Sequence, residues 1–390
     1  MNSTQTYGKA FWLLCLNSFF FFLSFSLLLG ELPQYLTLLG GVEFKGWIIG
    51  LFTISALIGR LYSGRWSDKF GRKPMILIGC IAAAFSGLGY VLFVSVAGFL
   101  AVRFFHGFST GFGPTGTTAM LSDIIPENKR GEAMGVLGFC IQIGMALGPY
   151  LGTEIALKMG MNSLFNLSTL MAFVSMALIF TLPETLPAKR KFEPRDLVIY
   201  LKAIYEPQVI FPMLVMLFSV ILYGAIVTVL PDVCMQLGFA NKSSFMLAVT
   251  LASMVVRIFA GKWSDRWGRI PIVFLGLGLQ LVSTLFLLNI QNQTDVLVAS
   301  AIYGMGTGIL SPVLFAWAVD QSDPQHRGRA LSSLYIAMEA GIGTGAIVAA
   351  QLFKNSTSNV SLVFGMTSIS IFLGLFFALV AWKKKRNGIA

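Results

Sequence analysis

The chain has few charged residues. Asp, Glu, Lys and Arg make up 12% of its 390 residues, whereas soluble proteins carry about 25%. Apolar residues make up 56% of the chain, and its mean hydropathy is +0.77. A soluble protein of this size needs a polar surface that so few charges do not supply. The composition therefore excludes a soluble globular protein and predicts an integral membrane protein.

The residue types that build most catalytic and metal sites are also scarce. There are two histidines, His106 and His326, and the four cysteines have neither metal-ligand spacing nor a disulfide pattern. The sequence contains no Gly-x-x-x-x-Gly-Lys-Ser/Thr phosphate loop and no catalytic Ser/His/Asp grouping. We therefore expect no enzyme activity, no cofactor and no metal. The cysteines are interpreted as small buried residues: Cys15, Cys80, Cys140 and Cys234.

Long apolar stretches are what the chain has in excess. A helix needs about 20 residues to cross a bilayer, and twelve stretches approach or exceed this length. They predict an all-α membrane fold with twelve transmembrane helices. The predicted spans are Phe11–Leu38, Gly46–Gly64, Pro74–Val94, Gly98–Leu121, Ala133–Ile155, Leu164–Leu182, Val209–Leu230, Ser244–Gly261, Pro271–Ile290, Val296–Val319, Ala330–Phe353 and Val360–Trp382.

Lysine and arginine lie mainly on one side of these spans, and this bias predicts the orientation. One set of loops contains Arg65, Lys69, Arg72, Lys73, Lys129, Arg130, Lys189, Arg190, Lys191, Arg195, Lys262, Arg266, Arg269, Arg327 and Arg329, and the run Lys383–Arg386 lies on the same side. The opposite loops contain Lys45, Lys158, Lys242 and Lys354. An even number of spans places both termini on the basic side, which we expect to be cytoplasmic. The net charge of +11 follows from this bias and does not indicate nucleic-acid binding.

The chain contains an internal repeat of about half its length. A shift of 197 residues places Arg60–Pro74 on Arg257–Pro271 with eight identities in fifteen positions. The repeat predicts an N-terminal six-helix bundle over residues 1–182, a charged cytoplasmic linker over 183–207 and a C-terminal six-helix bundle over 208–390. Because six is an even number, the bundles are parallel repeats. Transporters built in this way bind their substrate near the membrane midplane, between the halves.

The loop between the second and third spans contains a motif with a physical role. Gly64-x-x-x-Asp68-x-x-Gly71-Arg72-Lys73-Pro74 resembles the signature loop of the major facilitator superfamily of transporters, and a weaker copy lies 197 residues later. Asp68 is placed to accept hydrogen bonds at a helix N-terminus, and Arg72 or Arg130 to pair with Asp68 or Asp123. Such pairs would hold one conformation closed on the cytoplasmic side. The predicted cytoplasmic gate comprises Gly64, Asp68, Gly71, Arg72, Asp123, Arg130, Asp265, Arg269, Asp320 and Arg327.

Two further motifs resemble elements of the same family. Arg103-Phe-Phe-His-Gly107 resembles its Arg-x-x-x-Gly element, which is associated with proton coupling. Gly144-Met-Ala-Leu-Gly148-Pro149-Tyr-Leu-Gly152 resembles the antiporter motif of the drug/proton exchangers, with Thr153 in place of the usual second glycine. The resemblance covers the whole chain and implies a twelve-helix drug/proton antiporter. The recurring glycines independently predict close helix packing.

Ionisable residues inside membrane helices are costly and are therefore functional candidates. Four lie in the predicted spans, namely Glu31, Arg103, Asp232 and Glu339, and we interpret them as candidates for proton coupling. Glu31 and Arg103 are predicted to meet at one depth, whereas Glu339 aligns with Gln142 in the other half. A position at the outer mouth is the alternative for Glu31 and Asp232, and a helix–helix contact is the alternative for Glu339. The candidates for the substrate cavity are Gln34, His106, Gln142, Tyr223, Tyr303 and Tyr335.

These features favour a secondary active transporter that exports small amphipathic organic compounds in exchange for protons. The alternative is a proton-coupled importer of sugars, organic acids or siderophore-like nutrients, in which Arg103 binds an anionic substrate. We expect a monomer in a bacterial inner membrane, with substrate, protons and lipid as its partners. The cavity residues do not identify the substrate, because fold alone does not specify function.

Overall fold

The structure is a computed structural model that describes residues 7–126, 130–186, 193, 196, 206–322 and 327–386. The side chains of residues 130–132 and 327–328 lie outside that description. The described part of the chain is helical, and no β-strand occurs within it. The expected all-α fold is therefore confirmed.

Within the part of the chain that the structure describes, each predicted span overlaps one of twelve long helices, and the first span also includes a short helix. The helices of the first half are α1 Lys9–Leu29, α2 Leu32–Leu38, α3 Lys45–Phe70, α4 Arg72–Leu92, α5 Val96–Ile124, α6 Arg130–Met159 and α7 Met161–Phe180. Those of the second half are α8 Ile210–Gln236, α9 Ser244–Trp267, α10 Arg269–Leu288, α11 Gln293–Gln321, α12 Arg327–Phe353 and α13 Val360–Arg386. Among the described residues, eleven helices are long and apolar enough to cross a membrane. Helix α5 is the remaining long helix, and glycine, serine and threonine occupy much of its length.

The first predicted span, Phe11–Leu38, is not one continuous helix. Helix α1 ends at Leu29, and α2 begins at Leu32. Pro33 has no N–H group to bond to the preceding turn, so it cannot continue the hydrogen bonding of α1, and it lies in the first turn of α2, where proline is tolerated. The break places Glu31 between the two helices.

Two glycines allow consecutive helices to follow each other almost directly. Gly71, between α3 and α4, has φ +120°, and Gly268, between α9 and α10, has φ +89°. A side chain is strained in this conformation, whereas glycine adopts it readily. The turn of the signature loop therefore has the same geometry in both repeats.

The chain divides into two compact units. Unit 1 comprises Met1–Tyr35 and Ile54–Ile199, and unit 2 comprises Leu36–Thr53 and Tyr200–Ala390. The boundary differs from the predicted bundles because the first turns of α3 belong with unit 2. Helix α3 thus contributes to both units.

The helices inside each unit pack in the same pattern. In unit 1, α1 packs on α6 and α7, and α4 packs on α5 and α7. In unit 2, α8 packs on α12 and α13, and α10 packs on α11 and α13. These are the pairs that the shift of 197 residues makes equivalent. The repeat seen in the sequence is therefore a repeat of helix packing.

Candidate functional site

Helix α6 presents a face of glycines to the backbone of α1. A Cβ atom added to Gly144 would lie 2.7 Å from the carbonyl oxygen of Phe19, and one added to Gly152 would lie 1.9 Å from that of Leu27. A Cβ atom at Gly148 would lie 1.9 Å from Ser26 Oγ. A side chain at any of these positions would force the helices apart. The glycines of the antiporter motif therefore permit the closest contact between α1 and α6.

The same packing occurs in unit 2. A Cβ atom at Gly341 of α12 would lie 2.3 Å from the carbonyl oxygen of Leu217, and one at Gly345 would lie 2.3 Å from that of Ile221, both in α8. Gly341 and Gly345 are the repeat equivalents of Gly144 and Gly148. Close glycine packing is thus a property of both repeats. Of the two equivalent helices α6 and α12, only α6 has a proline inside it, Pro149.

Glu31 lies where the glycine face of α6 ends. Its side chain is buried, and the residue is 4% exposed. Thr153 Oγ1, in the residue after Gly152, donates a hydrogen bond to Glu31 Oε1 at 2.7 Å. Sequence reasoning treated Thr153 as a departure from the antiporter motif and missed this contact. The threonine that replaces the usual glycine thus provides a hydroxyl group to a buried carboxylate.

Arg103 is fully buried on α5 and bonds to the buried Tyr90, which in turn bonds to the buried His106. Its Nη1 group donates a hydrogen bond to Tyr90 Oη at 3.2 Å, and Tyr90 Oη lies 3.1 Å from His106 Nδ1. Arg103, Tyr90 and His106 each have an exposure of 0%. Tyr90 was not among the predicted residues, because a tyrosine in an apolar span carries no distinctive signal.

Aromatic contacts relate this cluster to the helix break near Glu31. Tyr35, one turn after Glu31, packs its ring 5.8 Å from that of Phe99 and 5.1 Å from that of Phe165. Tyr90 packs against the same two rings at 5.4 Å and 5.3 Å. Both groups therefore lie at the same end of unit 1. A direct meeting of Glu31 and Arg103 stays a prediction.

Asp232 forms a buried ion pair with Lys45. The carboxylate oxygen Oδ2 and Lys45 Nζ are 2.5 Å apart, and the two side chains are 7% and 8% exposed. Lys45 was expected in a loop, but it is the first residue of α3 and its side chain is buried. Removing one partner of such a pair leaves an uncompensated buried charge, which is strongly destabilising. The contact therefore compensates the buried charge of Asp232 and joins α8 to the first turn of α3.

Glu339 is buried on α12, with 6% of the residue exposed. It lies one turn before Gly343, on the same face of the helix. A Cβ atom at Gly343 would lie 2.3 Å from Thr53 Oγ1. Glu339 therefore shares the face of α12 that packs closely against the first turns of α3.

The predicted cavity residues differ in their surroundings. Gln34 is exposed, Gln142, Tyr223 and Tyr335 are half-buried, and His106 and Tyr303 are buried. Tyr335 packs against Phe315, with 4.9 Å between their ring centroids. Their role in substrate binding stays a prediction.

The signature loop forms the same ion-pair network in both repeats. Arg72 pairs with Asp68, and its Nε lies 3.1 Å from Asp123 Oδ2. In unit 2, Arg269 pairs with Asp265, and its Nε lies 2.7 Å from Asp320 Oδ2. The side chains of Arg130 and Arg327, also predicted in this gate, lie outside the described residues. The two networks hold the end of α3 to α5 and the end of α9 to α11.

Residues 184–185, which follow α7, contact the signature loop of unit 1 and have no equivalent contacts described at its copy in unit 2. Glu184 Oε1 accepts a hydrogen bond from the backbone N–H of Arg72 at 2.9 Å, and Thr185 Oγ1 donates to Asp123 Oδ2 at 2.7 Å. The carboxylate found at the N-terminus of α4 is therefore that of Glu184, whereas Asp68, expected in such a role, pairs with the Arg72 side chain. The position equivalent to Glu184 is Ala381, inside α13. The ion-pair network of unit 1 thus has additional hydrogen bonds from residues 184–185, and the network of unit 2 has no equivalent carboxylate at position 381.

The predicted linker is attached to α3 at one described residue. Asp196 is 2% exposed, and its carboxylate lies 2.5 Å from Lys69 Nζ. The backbone carbonyl of Asp196 accepts a hydrogen bond from Trp66 Nε1 at 3.2 Å. Most other residues of 187–205 lie outside the description. The contacts of Asp196 join this part of the linker to unit 1.

Comparison with known proteins agrees with this architecture. The sequence profile of the Major Facilitator Superfamily matches residues 14–293 and 243–388. A Lactococcus lactis protein named "Multi-drug resistance efflux pump PmrA homolog" is 24% identical over 401 aligned positions, which cover 98% of each chain. "Multidrug resistance protein 2" of Bacillus subtilis is 26% identical, over 97% of this chain and 96% of that protein.

A solved structure shows the same fold at lower identity. The crystal structure of a D-xylose-proton symporter superimposes with a TM-score of 0.75 and 17% identity, over 94% of this chain and 96% of that chain. The likeness covers both repeats, because it extends over nearly the full length of the chain. The chain is a transport protein and belongs to the Major Facilitator Superfamily.

Proposed function

We propose that the protein is a secondary active exporter that moves small amphipathic organic compounds out of the cell in exchange for protons. The observation that carries this proposal is the burial of two carboxylates. Glu31, at the break between α1 and α2, is 4% exposed, and Glu339, in α12, is 6% exposed. Ionisable residues buried within membrane segments are costly, and they commonly mark proton or substrate pathways. The efflux-pump names of the two relatives support export.

Substrate is exchanged for protons if the two bind alternately at the same carboxylate. Substrate binding from the cytoplasm displaces the proton from a carboxylate, and the carboxylate regains a proton from outside as the substrate leaves. We assign this exchange to Glu31 and Glu339. Asp232 is assigned to an extracellular gate instead, because Lys45 compensates its charge. The basic loops and both termini are assigned to the cytoplasm, where the Arg72 and Arg269 networks act as the second gate.

Proton-coupled import is the second candidate, and the likeness to a proton symporter favours it. In that function Arg103 was expected to bind an anionic substrate. Arg103 is fully buried and donates a hydrogen bond to Tyr90. This position suits a structural contact within unit 1 better than contact with a substrate. The contact of Arg103 with Tyr90 therefore gives no support to an anionic substrate bound at this residue.

The sign of a pH gradient separates the two functions. A panel of amphipathic fluorescent dyes is screened by thermal shift on purified protein, and the best binder is tested in proteoliposomes. An antiporter accumulates the dye when the lumen is acidic, because protons leaving the lumen drive dye inward. A symporter accumulates it when the medium is acidic. Both results hold for either orientation of the protein in the vesicle.

A further inference from the structure

The residue after the glycine face of α6 is placed to control Glu31. Gly152 approaches the Leu27 carbonyl so closely that an added Cβ would lie 1.9 Å from it. This contact leaves α6 little freedom to shift relative to α1. Thr153 follows directly, is 1% exposed and has a β-branched side chain with few rotamers. Its hydroxyl group therefore has a well-defined position beside the helix break.

Glu31 is held at that break by its backbone. Its N–H donates to the carbonyl of Leu28 at 3.0 Å, and its carbonyl accepts from the N–H of Tyr35 at 3.0 Å. The glutamate side chain has three rotatable bonds, and these bonds do not fix its carboxylate. The hydrogen bond from Thr153 Oγ1, at 2.7 Å, supplies a directional contact to that carboxylate.

The direction of this hydrogen bond differs from that of other buried threonines. Thr117, Thr169 and Thr228 donate to the carbonyl four residues earlier in their own helices, at 3.0 Å, 2.9 Å and 2.8 Å. Thr153 donates to a residue 122 positions away, on another element. A contact of this kind orders a specific side chain in addition to satisfying the hydroxyl group.

We propose that Thr153 is a positioning residue whose hydroxyl group orients the Glu31 carboxylate for proton exchange. The inference rests on the proposed function, in which Glu31 is one of the exchanging carboxylates. The hydroxyl group donates to the ionised carboxylate and accepts from, or donates to, the protonated one, so it serves both states. Other titratable groups lie on the elements packed at this end of unit 1, namely Tyr35, Tyr90, Arg103 and His106, and on α6 itself Tyr150, Glu154 and Lys158.

The test compares three variants of Thr153, which keep or remove the hydroxyl group with small changes in the size of the side chain. Thr153→Val keeps the shape and removes the hydroxyl, Thr153→Ser keeps the hydroxyl, and Thr153→Ala repeats the removal with less bulk. A hydrogen bond to a charged group corresponds to about tenfold in a rate or equilibrium. Thr153→Val and Thr153→Ala should lower dye accumulation driven by an acidic lumen about tenfold, and Thr153→Ser should stay within about twofold of wild type. Dye exchange without a pH gradient should change little.

A double-mutant cycle with Glu31→Gln distinguishes positioning from packing. In the Glu31→Gln background, Thr153→Val should have no additional effect on dye movement. Wild-type pumping by Thr153→Val, or an equal loss in both backgrounds, would overturn the inference. If Glu31→Gln itself pumps normally, the inference fails together with the assignment of Glu31. If the wild-type protein shows no accumulation with either gradient, the proposed function fails.

Discussion

Substitution of Gly152 by alanine tests the contact between α6 and α1. The added Cβ atom would lie 1.9 Å from the backbone oxygen of Leu27 and 2.8 Å from its carbonyl carbon, whereas real Cβ contacts are essentially never shorter than 3.0 Å. The obstacle is backbone, so no side-chain rotation relieves it. The helices must separate by more than 1 Å at this point. Overpacking of this kind typically costs about 1–3 kcal/mol, and the separation also removes close contacts at Gly148.

The matched control lies on the same helix. No atom lies within 4 Å of a Cβ added to Gly138, and replacing a helical glycine by alanine is favourable by roughly 0.5–1 kcal/mol. Thermal unfolding in detergent, followed by tryptophan fluorescence, should show a lower transition for Gly152→Ala and an equal or higher one for Gly138→Ala. Pumping should be lost in Gly152→Ala and retained in Gly138→Ala. Equal unfolding and transport in the two variants would refute this account of the glycine face.

Three further predictions concern the ion pairs and the signature loop. Lys45→Met should destabilise the protein by about 3–5 kcal/mol, and the double variant Lys45→Met/Asp232→Leu should recover much of that loss in thermal unfolding. Gly71→Ala should cost about 1–3 kcal/mol of backbone strain and should impair transport more than Gly268→Ala. An added Cβ at Gly71 meets Glu184 Oε2 at 2.2 Å, whereas the nearest atom to one at Gly268 lies at 3.8 Å. Asp68→Asn should lower transport while dye binding persists, and spin-label distances across the face that we propose to be cytoplasmic should lengthen. Unchanged distances would count against the proposed gate.

The positions of the helices could be predicted because membrane helices combine long apolar stretches with a strict length requirement. The break at Glu31 could not be placed, although Pro33 marks it, because proline is tolerated inside other helices of this chain. Pro149 lies inside α6 and Pro231 inside α8. Whether a proline ends a helix depends on the packing around it, which the local sequence does not contain.

The charged residues of the site could be located from the sequence, but their partners could not. Asp232 and Lys45 are 187 residues apart, and Glu31 and Thr153 are 122 residues apart. A single sequence carries no local pattern for such contacts. The internal repeat does not help either, because Glu184 aligns with Ala381 and Glu339 with Gln142. The signature loop was predicted more fully because its pairs recur in both repeats.

The exchange of substrate for protons is tested most directly by recording proton movement that the substrate itself drives. Proteoliposomes loaded with the dye and a trapped pH indicator are diluted into dye-free medium of the same pH. Dye efflux should acidify the lumen in the wild-type protein, and Glu339→Gln should lose the acidification while retaining part of the dye efflux. Dye efflux that leaves the lumenal pH unchanged, or makes it alkaline, would contradict antiport; acidification by Glu339→Gln at the wild-type rate would remove Glu339 from the exchange.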